Sequence, residues 1–223
     1  MARLTKQQSN LKKRYIAELN AQERVDKDMI KESIVNYIKE EVDYNNKVCL
    51  DLGTNIGGFT KIALDHGASR VYGVECDFRN YNIASSNFAS EIKVKILYAA
   101  VSGSNEETVK IYKSGAKSNH SSTSIIKRNN RFGEYDDVKN YHIENLLSEV
   151  KPDIIKVDIE GAEYDIIESI LEYKPKILFI ELHGNHERSK SAIQRLTETY
   201  KNNQIEEIII FQEVGGYDCL FYD

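Results

Sequence analysis

A glycine-rich turn between two apolar stretches constrains the fold of this chain more than any other feature. Val48 to Leu50 is short, apolar and β-prone, as expected for a buried parallel strand. The turn that follows contains three glycines: Gly53, Gly57 and Gly58. Residues 59–66 then predict a helix that ends at Gly67, and Val71 to Val74 predicts a second strand. This order predicts one βαβ unit and therefore a parallel sheet.

An acidic residue ends the second strand of this unit. Glu75 stands 22 positions after Gly53. Ligands of such sheets bind beyond the carboxyl ends of the strands, where a carboxylate can accept both hydroxyl hydrogens of a ribose. The unit therefore predicts a nucleoside-binding site. In the alternative interpretation the glycines only permit tight packing of helix on strand, which does not account for the spaced acid.

The residues of the turn distinguish between nucleoside cofactors. A dinucleotide fold needs Gly-x-Gly-x-x-Gly, whose middle glycine lets the backbone reach a pyrophosphate, and here that place is Asn55. Asparagine can adopt unusual backbone angles, but its side chain stays in the way. Asp51, expected to point into the same loop, would repel a phosphate and favour a cation. These features match S-adenosylmethionine, which carries a ribose, an ammonium and a sulfonium.

Composition limits the remaining function classes. The chain has 223 residues, which is enough for one domain with a terminal extension. No apolar run approaches the ~20 residues of a membrane span, and the basic N-terminus lacks the apolar core of a secretory signal. The net charge of −5 gives no general attraction to nucleic acid. Three cysteines without metal-like spacing indicate reduced thiols. We therefore expect a cytoplasmic protein with no membrane association and a small-molecule or glycan acceptor.

The N-terminal extension, residues 1–45, is polar and helix-prone. Apolar residues at three-and-four spacing predict two helices with a break near Asn20, the second of which packs on the sheet through Ile30, Ile34, Tyr37 and Ile38. The first helix is interpreted as a solvated leader. The alternatives are an acceptor lid or an arm through which the chain forms a homo-oligomer.

Residues 104–142 interrupt the alternation of strands and helices. Thr108 to Tyr112 and Val138 to His142 predict strands outside the main sheet, and a polar loop insert occupies residues 113–137. Loops of this length are usually functional or disordered. Polar and basic side chains of the insert, such as His120 and Arg128, could contact an acceptor, so the insert is assigned to the acceptor side. The alternative is a solvated surface insert.

The remaining pattern predicts a doubly covered sheet. Strands are expected at Val94 to Tyr98, Asp153 to Val157, Lys176 to Leu182, Ile205 to Gln212 and Tyr217 to Tyr222, with a hairpin turn at Gly215-Gly216. Helices are expected from 78 to 89, up to Tyr173, and from Lys190 to Lys201. The domain 46–223 is therefore predicted to be α/β, with a mostly parallel sheet of about seven strands, helices on both faces and the last strand antiparallel.

Polar residues follow several of these strands at the edge where ligands bind. Small residues after the third strand, including Ala100, could line an adenine slot or simply pack at the strand end. The acids and the histidine expected at this edge are Asp51, Glu75, Asp158, Glu160, Glu181 and His183. A hydroxyl acceptor must lose a proton during methylation, and a neutral His183, Asp158 or Glu160 could take it. Asp158 and Glu181 could also bind a divalent metal, although no spacing indicates one.

Four segments in order resemble one enzyme family: DLGTNIGGFT, VYGVECD, DIIKVDIEGAEYDII and ILFIELH. The chain resembles the FkbM-type S-adenosylmethionine-dependent methyltransferases, mostly O-methyltransferases of sugars and secondary metabolites. The resemblance implies the class I methyltransferase (Rossmann-like) fold, with a reacting centre around 158–163, Glu181 and His183. It implies cofactor contacts at Asp51, Gly53, Asn55, Gly57 and Glu75, to which we add Cys76, Ala100 and Asp158. At position 76 this chain has cysteine, where members of the family commonly have proline.

Two other function classes stay open at this point. A nucleic-acid methyltransferase for amino groups would normally carry an Asn/Asp-Pro-Pro-aromatic loop at the position of Asp158, and this chain has none. A non-catalytic module that binds S-adenosylmethionine or assembles through the N-terminal helices is the other alternative.

Overall fold

The computed structural model describes residues 4–21, 23–112, 135–184, 186–210 and 213–223. The helices are α1 Lys6–Glu18, α2 Arg24–Tyr37, α3 Gly58–Asp65, α4 Phe78–Asn87, α5 Ile143–Val150, α6 Glu163–Tyr173 and α7 His186–Thr199. The strands are β1 Val48–Leu52, β2 Arg70–Glu75, β3 Val94–Tyr98, β4 Ala100–Ser102, β5 Thr108–Tyr112, β6 Tyr135–His142, β7 Ile154–Val157, β8 Ile177–His183, β9 Asn202–Ile210 and β10 Glu213–Tyr222. None of the described helices combines the length and the apolar character that crossing a membrane requires.

The main sheet has seven strands in the order β3-β2-β1-β7-β8-β10-β9. Strands β3, β2, β1, β7 and β8 pair in parallel. Strand β10 is antiparallel to both of its neighbours, β8 and β9. The prediction of a mostly parallel sheet whose last strand is antiparallel is confirmed. The order of strands places the carboxyl ends of β1, β2 and β7 side by side, with β8 next to them.

Two apolar cores cover the two faces of this sheet. One lies under α5, α6 and α7 and includes Leu147, Ile166 and Leu196. The other lies under α1, α2 and α3 and includes Ile34 and Phe59. Because parallel strands are buried on both faces, they are apolar almost throughout, as in the ILFIEL run of β8.

Helix α1 is part of the packed protein rather than a solvated leader. Tyr15 and Leu19 are buried in the same core as α2 and α3. The Tyr15 hydroxyl also donates a hydrogen bond of 3.0 Å to Asp65, the last residue of α3. The expectation of a solvated leader is therefore wrong, because Leu11, Tyr15, Ile16 and Leu19 recur at helical spacing and form the face of α1 that packs on the core. The predicted break near Asn20 is confirmed.

Strands β4, β6 and β5 form a separate three-stranded sheet. The interrupted pattern predicts β5 and β6, whereas β4 was not expected. Residues 135–137 of the expected insert belong to strand β6. Residues 113–134, with His120 and Arg128, lie outside the described residues.

Two predictions of local structure need correction. Helix α5 was not expected, although its sequence IENLLSEV places four buried apolar residues on one face. The pair Gly215-Gly216 is not a hairpin turn, because both residues lie within β10 and the pairing with β9 shifts register between Val214 and Gly216. A Cβ atom at Gly216 would lie 2.4 Å from the Leu182 carbonyl oxygen, so glycine permits the close approach of the strands.

Candidate active site at the carboxyl ends of the strands

A cavity of about 250 Å³ lies between α2 and the carboxyl ends of β1, β2 and β7. Most of the predicted site residues line it: Gly53, Asn55, Glu75, Cys76, Ala100, Asp158, Glu160 and Glu181. Asp51, Gly57 and His183 do not line it. The sheet therefore brings the sequence-predicted residues together, although three of them are not among the residues that line the cavity.

The β1–α3 turn is shaped by contacts within the protein. A Cβ atom at Gly53 would lie 1.8 Å from the Asp158 carbonyl oxygen, so only glycine fits where the turn crosses the end of β7. Asn55 has φ of +53°, the left-handed conformation expected for it. Gly57 has φ of +99°, and a Cβ atom there would lie 2.3 Å from the Phe88 ring. Gly57 thus packs against Phe88 at the start of α3, and its contact with the cofactor stays a prediction.

Glu75 is buried at the end of β2 beside the cavity. Its two carboxylate oxygens accept hydrogen bonds of 2.7 Å from the backbone N–H groups of Asn55 and Asp77. Burial raises the pKa of Glu75 to about 7, although these two hydrogen bonds favour the charged form. Each oxygen retains a second lone pair, so the carboxylate can still accept hydrogen bonds from a ligand.

Asp51 forms a buried pair with a lysine that sequence reasoning missed. Asp51 is fully buried, accepts a hydrogen bond of 2.7 Å from the Thr60 hydroxyl, and lies 3.5 Å from the Lys156 ammonium. Lys156 also lies 3.5 Å from Asp158 and donates to the carbonyl oxygens of Leu52 and Gly53. Asp51 therefore holds Lys156 instead of pointing into the loop. A lysine in the middle of the apolar strand IIKV was the available sequence signal.

The turn after β7 directs acidic side chains towards His183. Glu160 has φ of +58°, a conformation that non-glycine residues rarely adopt. The His183 Nε2 atom lies 3.0 Å from Glu181, 3.7 Å from Glu160 and 4.0 Å from Asp158. The Nδ1 atom lies 2.9 Å from the fully buried Glu163. Both ring nitrogens of His183 therefore face carboxylates.

This environment changes the expected role of His183. Burial alone lowers the pKa of His183, but the hydrogen bonds and charges of Glu163 and Glu181 outweigh it and raise the pKa well above the ordinary value. The interpretation of His183 as a neutral general base is therefore not supported, because a proton on each nitrogen leaves no basic lone pair. Carboxylates remain as the proton acceptors at this site.

Helix α2 supplies a wall of the cavity that the sequence did not reveal. Glu32, Ser33 and Tyr37 all line it, together with Met29 and Ile30. A Cβ atom at Gly58 would lie 2.3 Å from the Ser33 hydroxyl oxygen, so α2 packs directly on the start of α3. Burial raises the pKa of Glu32 to about 7, and the charges of Glu181 and Asp158 add to this effect. The N-terminal helices thus belong to the site.

These residues fit the cofactor that the sequence suggests. Ala99, Ala100 and Val101 form a small apolar part of the wall, which suits an adenine ring. Glu75 is buried in the same wall and suits ribose hydroxyls. The carboxylates of Asp158, Glu160 and Glu181 would attract the positive charge of a sulfonium and an ammonium.

Comparisons with known proteins agree with this architecture. The Methyltransferase FkbM domain matches residues 51–219. Hemolysin A of Brachyspira hyodysenteriae is 41% identical over 39 residues, which are 18% of this chain and only 16% of that protein.

Three solved structures share the fold at low sequence identity. An RNA methyltransferase candidate from Pyrococcus horikoshii has a TM-score of 0.52 at 14% identity and covers 98% of each chain. A methyltransferase FkbM from Methylobacillus flagellatus has a TM-score of 0.51 at 14% identity, covering 94% of this chain and 59% of that one. TYW2 of M. jannaschii in complex with AdoMet has a TM-score of 0.50 at 12% identity, covering 90% of this chain and 75% of that one. The fold is that of the class I methyltransferases. The extent of the family match, together with a carboxylate-rimmed cavity at the switch of strand order, shows that this chain belongs to the FkbM family of S-adenosylmethionine-dependent methyltransferases.

Proposed function

We propose that the protein is an O-methyltransferase that acts on a hydroxyl group of a sugar, a glycan or another small polar metabolite. The observation that carries this proposal is the arrangement of one cavity. Glu75 lies on its cofactor side, and the carboxylates of Glu160 and Glu181 lie on the same wall near His183. A ribose-binding acid and a group of proton acceptors thus share one space.

A second cavity supports a polar acceptor. It has a volume of about 340 Å³ and shares Tyr37 and Glu181 with the first cavity. Its other lining residues include the polar side chains of Asn36, Lys39, Gln204, Glu206 and Asp218. Hydrogen-bonding groups of this kind suit a compound rich in hydroxyls.

Different residues of the cavity would have different tasks in the reaction. S-adenosylmethionine, when bound, supplies an electrophilic methyl group on its sulfonium. Glu75 would hold the ribose, and Ala100 and Cys76 would line the space for the base. One of the carboxylates of Asp158, Glu160 and Glu181 would take the proton from the acceptor oxygen as that oxygen gains the methyl group, and orientation of the acceptor supplies much of the rate.

Charge argues against a nucleic-acid acceptor. The chain carries a net charge of −5, and both cavities are lined by carboxylates that would repel phosphates.

The three cysteines are free thiols, which supports a cytoplasmic location.

Methyl transfer to a panel of sugars, polyols and amines tests this function directly. We expect mass spectrometry to detect a product heavier by one methylene unit with a hydroxylated acceptor, and S-adenosylhomocysteine in equal amount. The Glu181→Gln variant is expected to form the product more slowly, because it removes a proton acceptor. Methylation of the amines alone, or of RNA alone, would contradict the proposal.

The pH dependence of nucleoside binding follows from Glu75. Its pKa is about 7, and only the ionised carboxylate accepts both ribose hydrogens. Raising the pH from 6 to 8 passes through this pKa and is therefore expected to strengthen binding about tenfold. Asp77 raises this pKa and Lys156 lowers it, so both charges must be retained in the protein that is measured.

Methylthioadenosine is the appropriate ligand for this titration, since it contains the ribose but lacks the titrating amine of S-adenosylmethionine. Calorimetry at several pH values would measure the affinity. The Glu75→Gln variant serves as the control and should lose the tenfold rise, which leaves only the contribution of Glu32, whose pKa is also about 7. A wild-type affinity that stays constant or falls as the pH rises would refute the assignment.

A further inference from the structure

Four side chains able to coordinate a cation converge at one edge of the cavity. Single ligand atoms of Asp158, Glu160 and His183 lie within 4.8 Å of one another. Glu181 adds a carboxylate oxygen 3.0 Å from His183 Nε2. These groups come from two neighbouring strand ends, so the sheet itself sets their spacing.

Glu163 provides an independent indication of a ligand at this place. Its Oε1 atom lies 2.9 Å from His183 Nδ1 and accepts hydrogen bonds from the backbone N–H groups of Ile159 and Gly161. The carboxylate is fully buried, and its Oε2 atom has no hydrogen-bond partner among the described residues. A carboxylate behind one nitrogen of a histidine fixes the ring and leaves the other nitrogen for a metal. Here that other nitrogen faces three carboxylates.

The balance of charge also leaves room for a cation. Among the described residues that line the cavity, the acids are Glu32, Glu75, Asp158, Glu160 and Glu181, and the only base is Lys156. S-adenosylmethionine brings a single net positive charge. Because burial raises the pKa of Glu32 and of Glu75 to about 7, these two acids are only partly ionised near neutral pH. A divalent cation in place of the His183 proton would compensate much of the negative charge of Asp158, Glu160 and Glu181.

We propose that this group is a divalent-cation site whose ligands are Asp158, Glu160, Glu181 and His183. One imidazole nitrogen with several carboxylate oxygens suits a cation of the Mn²⁺ type, since imidazole favours transition metals and carboxylates favour Mg²⁺, Ca²⁺ and Mn²⁺. The cation takes the place of the proton on His183 Nε2. Resting on the proposed function, we assign to it the positioning of the acceptor hydroxyl oxygen at the cavity edge, while a carboxylate oxygen that does not bind the cation takes the proton.

Binding of Mn²⁺ to the full chain tests this site without an acceptor. Electron paramagnetic resonance distinguishes free from bound Mn²⁺ in protein stripped of metal with a chelator. We expect one Mn²⁺ per chain, with affinity about 10–100-fold lower in Glu163→Gln, which alters only the residue behind the histidine. His183→Ala and Glu160→Gln should both weaken binding, since each removes a ligand. Glu160→Gln keeps the volume of the side chain, so it tests the site even where His183→Ala prevents folding.

The control variant is His66→Gln, which changes a histidine at the end of α3 and should bind Mn²⁺ like the wild type. Thermal unfolding and calorimetry with S-adenosylmethionine would establish that each variant is folded. Folded wild-type protein that binds no Mn²⁺, or variants that bind it as tightly as the wild type, would overturn the metal site. Intact binding of S-adenosylmethionine in the same samples would leave the proposed function standing.

Discussion

The Glu75→Gln substitution is expected to weaken S-adenosylmethionine binding about 100-fold. The wild-type carboxylate can accept a hydrogen bond from each ribose hydroxyl, and hydrogen bonds to a charged group contribute about 1.5–3 kcal/mol each. Losing about 2.7 kcal/mol corresponds to a factor of 100 in the dissociation constant. Glutamine has nearly the same shape, so the loss reports on charge and hydrogen bonding rather than on space.

The surroundings of Glu75 make glutamine a poor substitute. Both carboxylate oxygens already accept hydrogen bonds, one from the N–H of Asn55 and one from the N–H of Asp77, each at 2.7 Å. An amide nitrogen at either position would place a donor against a donor. The amide can therefore not satisfy both backbone groups and both ribose hydroxyls.

Isothermal titration calorimetry at pH 8, where the wild-type carboxylate is ionised, would measure this effect. Glu107→Gln is a matched control, because Glu107 is an exposed acid directly before β5 and does not line the cavity. Equal affinity of the Glu75→Gln variant and the wild type would show that the ribose lies elsewhere, and the assigned cofactor site would then be wrong.

The Lys156→Met substitution is expected to destabilise the folded protein by about 3–5 kcal/mol, because it leaves the buried carboxylate of Asp51 without its charged partner. Lys156 is 4% exposed and Asp51 is fully buried. Burial lowers the pKa of Lys156, but the charges of Asp158 and Asp51 outweigh burial and raise it, so the ammonium stays charged. Methionine fills similar space but supplies neither the charge nor the hydrogen bonds to Leu52 and Gly53.

Urea unfolding followed by circular dichroism would measure this loss. Combining Lys156→Met with Asp51→Asn should recover part of the stability, since the second substitution removes the unpaired charge. Lys176→Met is the control, because Lys176 pairs with Asp153 on the exposed surface and should cost much less. A stability of Lys156→Met close to that of the wild type, or additive losses in the double variant, would contradict this account of the pair.

Local sequence was sufficient for the βαβ unit because its signals are themselves local. The β1 strand, the positive φ of Asn55 and the acid at the end of β2 each follow from neighbouring residues. The antiparallel last strand was also predicted, although the pair of glycines interpreted as its turn lies within β10. The short helix α5 was missed because eight residues give a weak periodic signal.

The partners within the site could not be predicted, because they join residues far apart in the chain. Glu32 lines the cavity with Glu181, and Asp51 pairs with Lys156. Only packing of α2 on the sheet and the placement of β7 beside β1 bring these side chains together. The charge of His183 depends in the same way on Glu163, which lies 20 residues earlier in the chain.

By itself, the sequence determined the fold class, the family and the edge of the sheet where the acids gather, because apolar periodicity and strand-end residues are properties of short segments. Only the tertiary structure decided which acids face the cavity, which of them pair with Lys156, and how His183 is charged. Those outcomes depend on burial and on distances of a few ångströms between separate segments, and no spacing along the chain encodes either quantity.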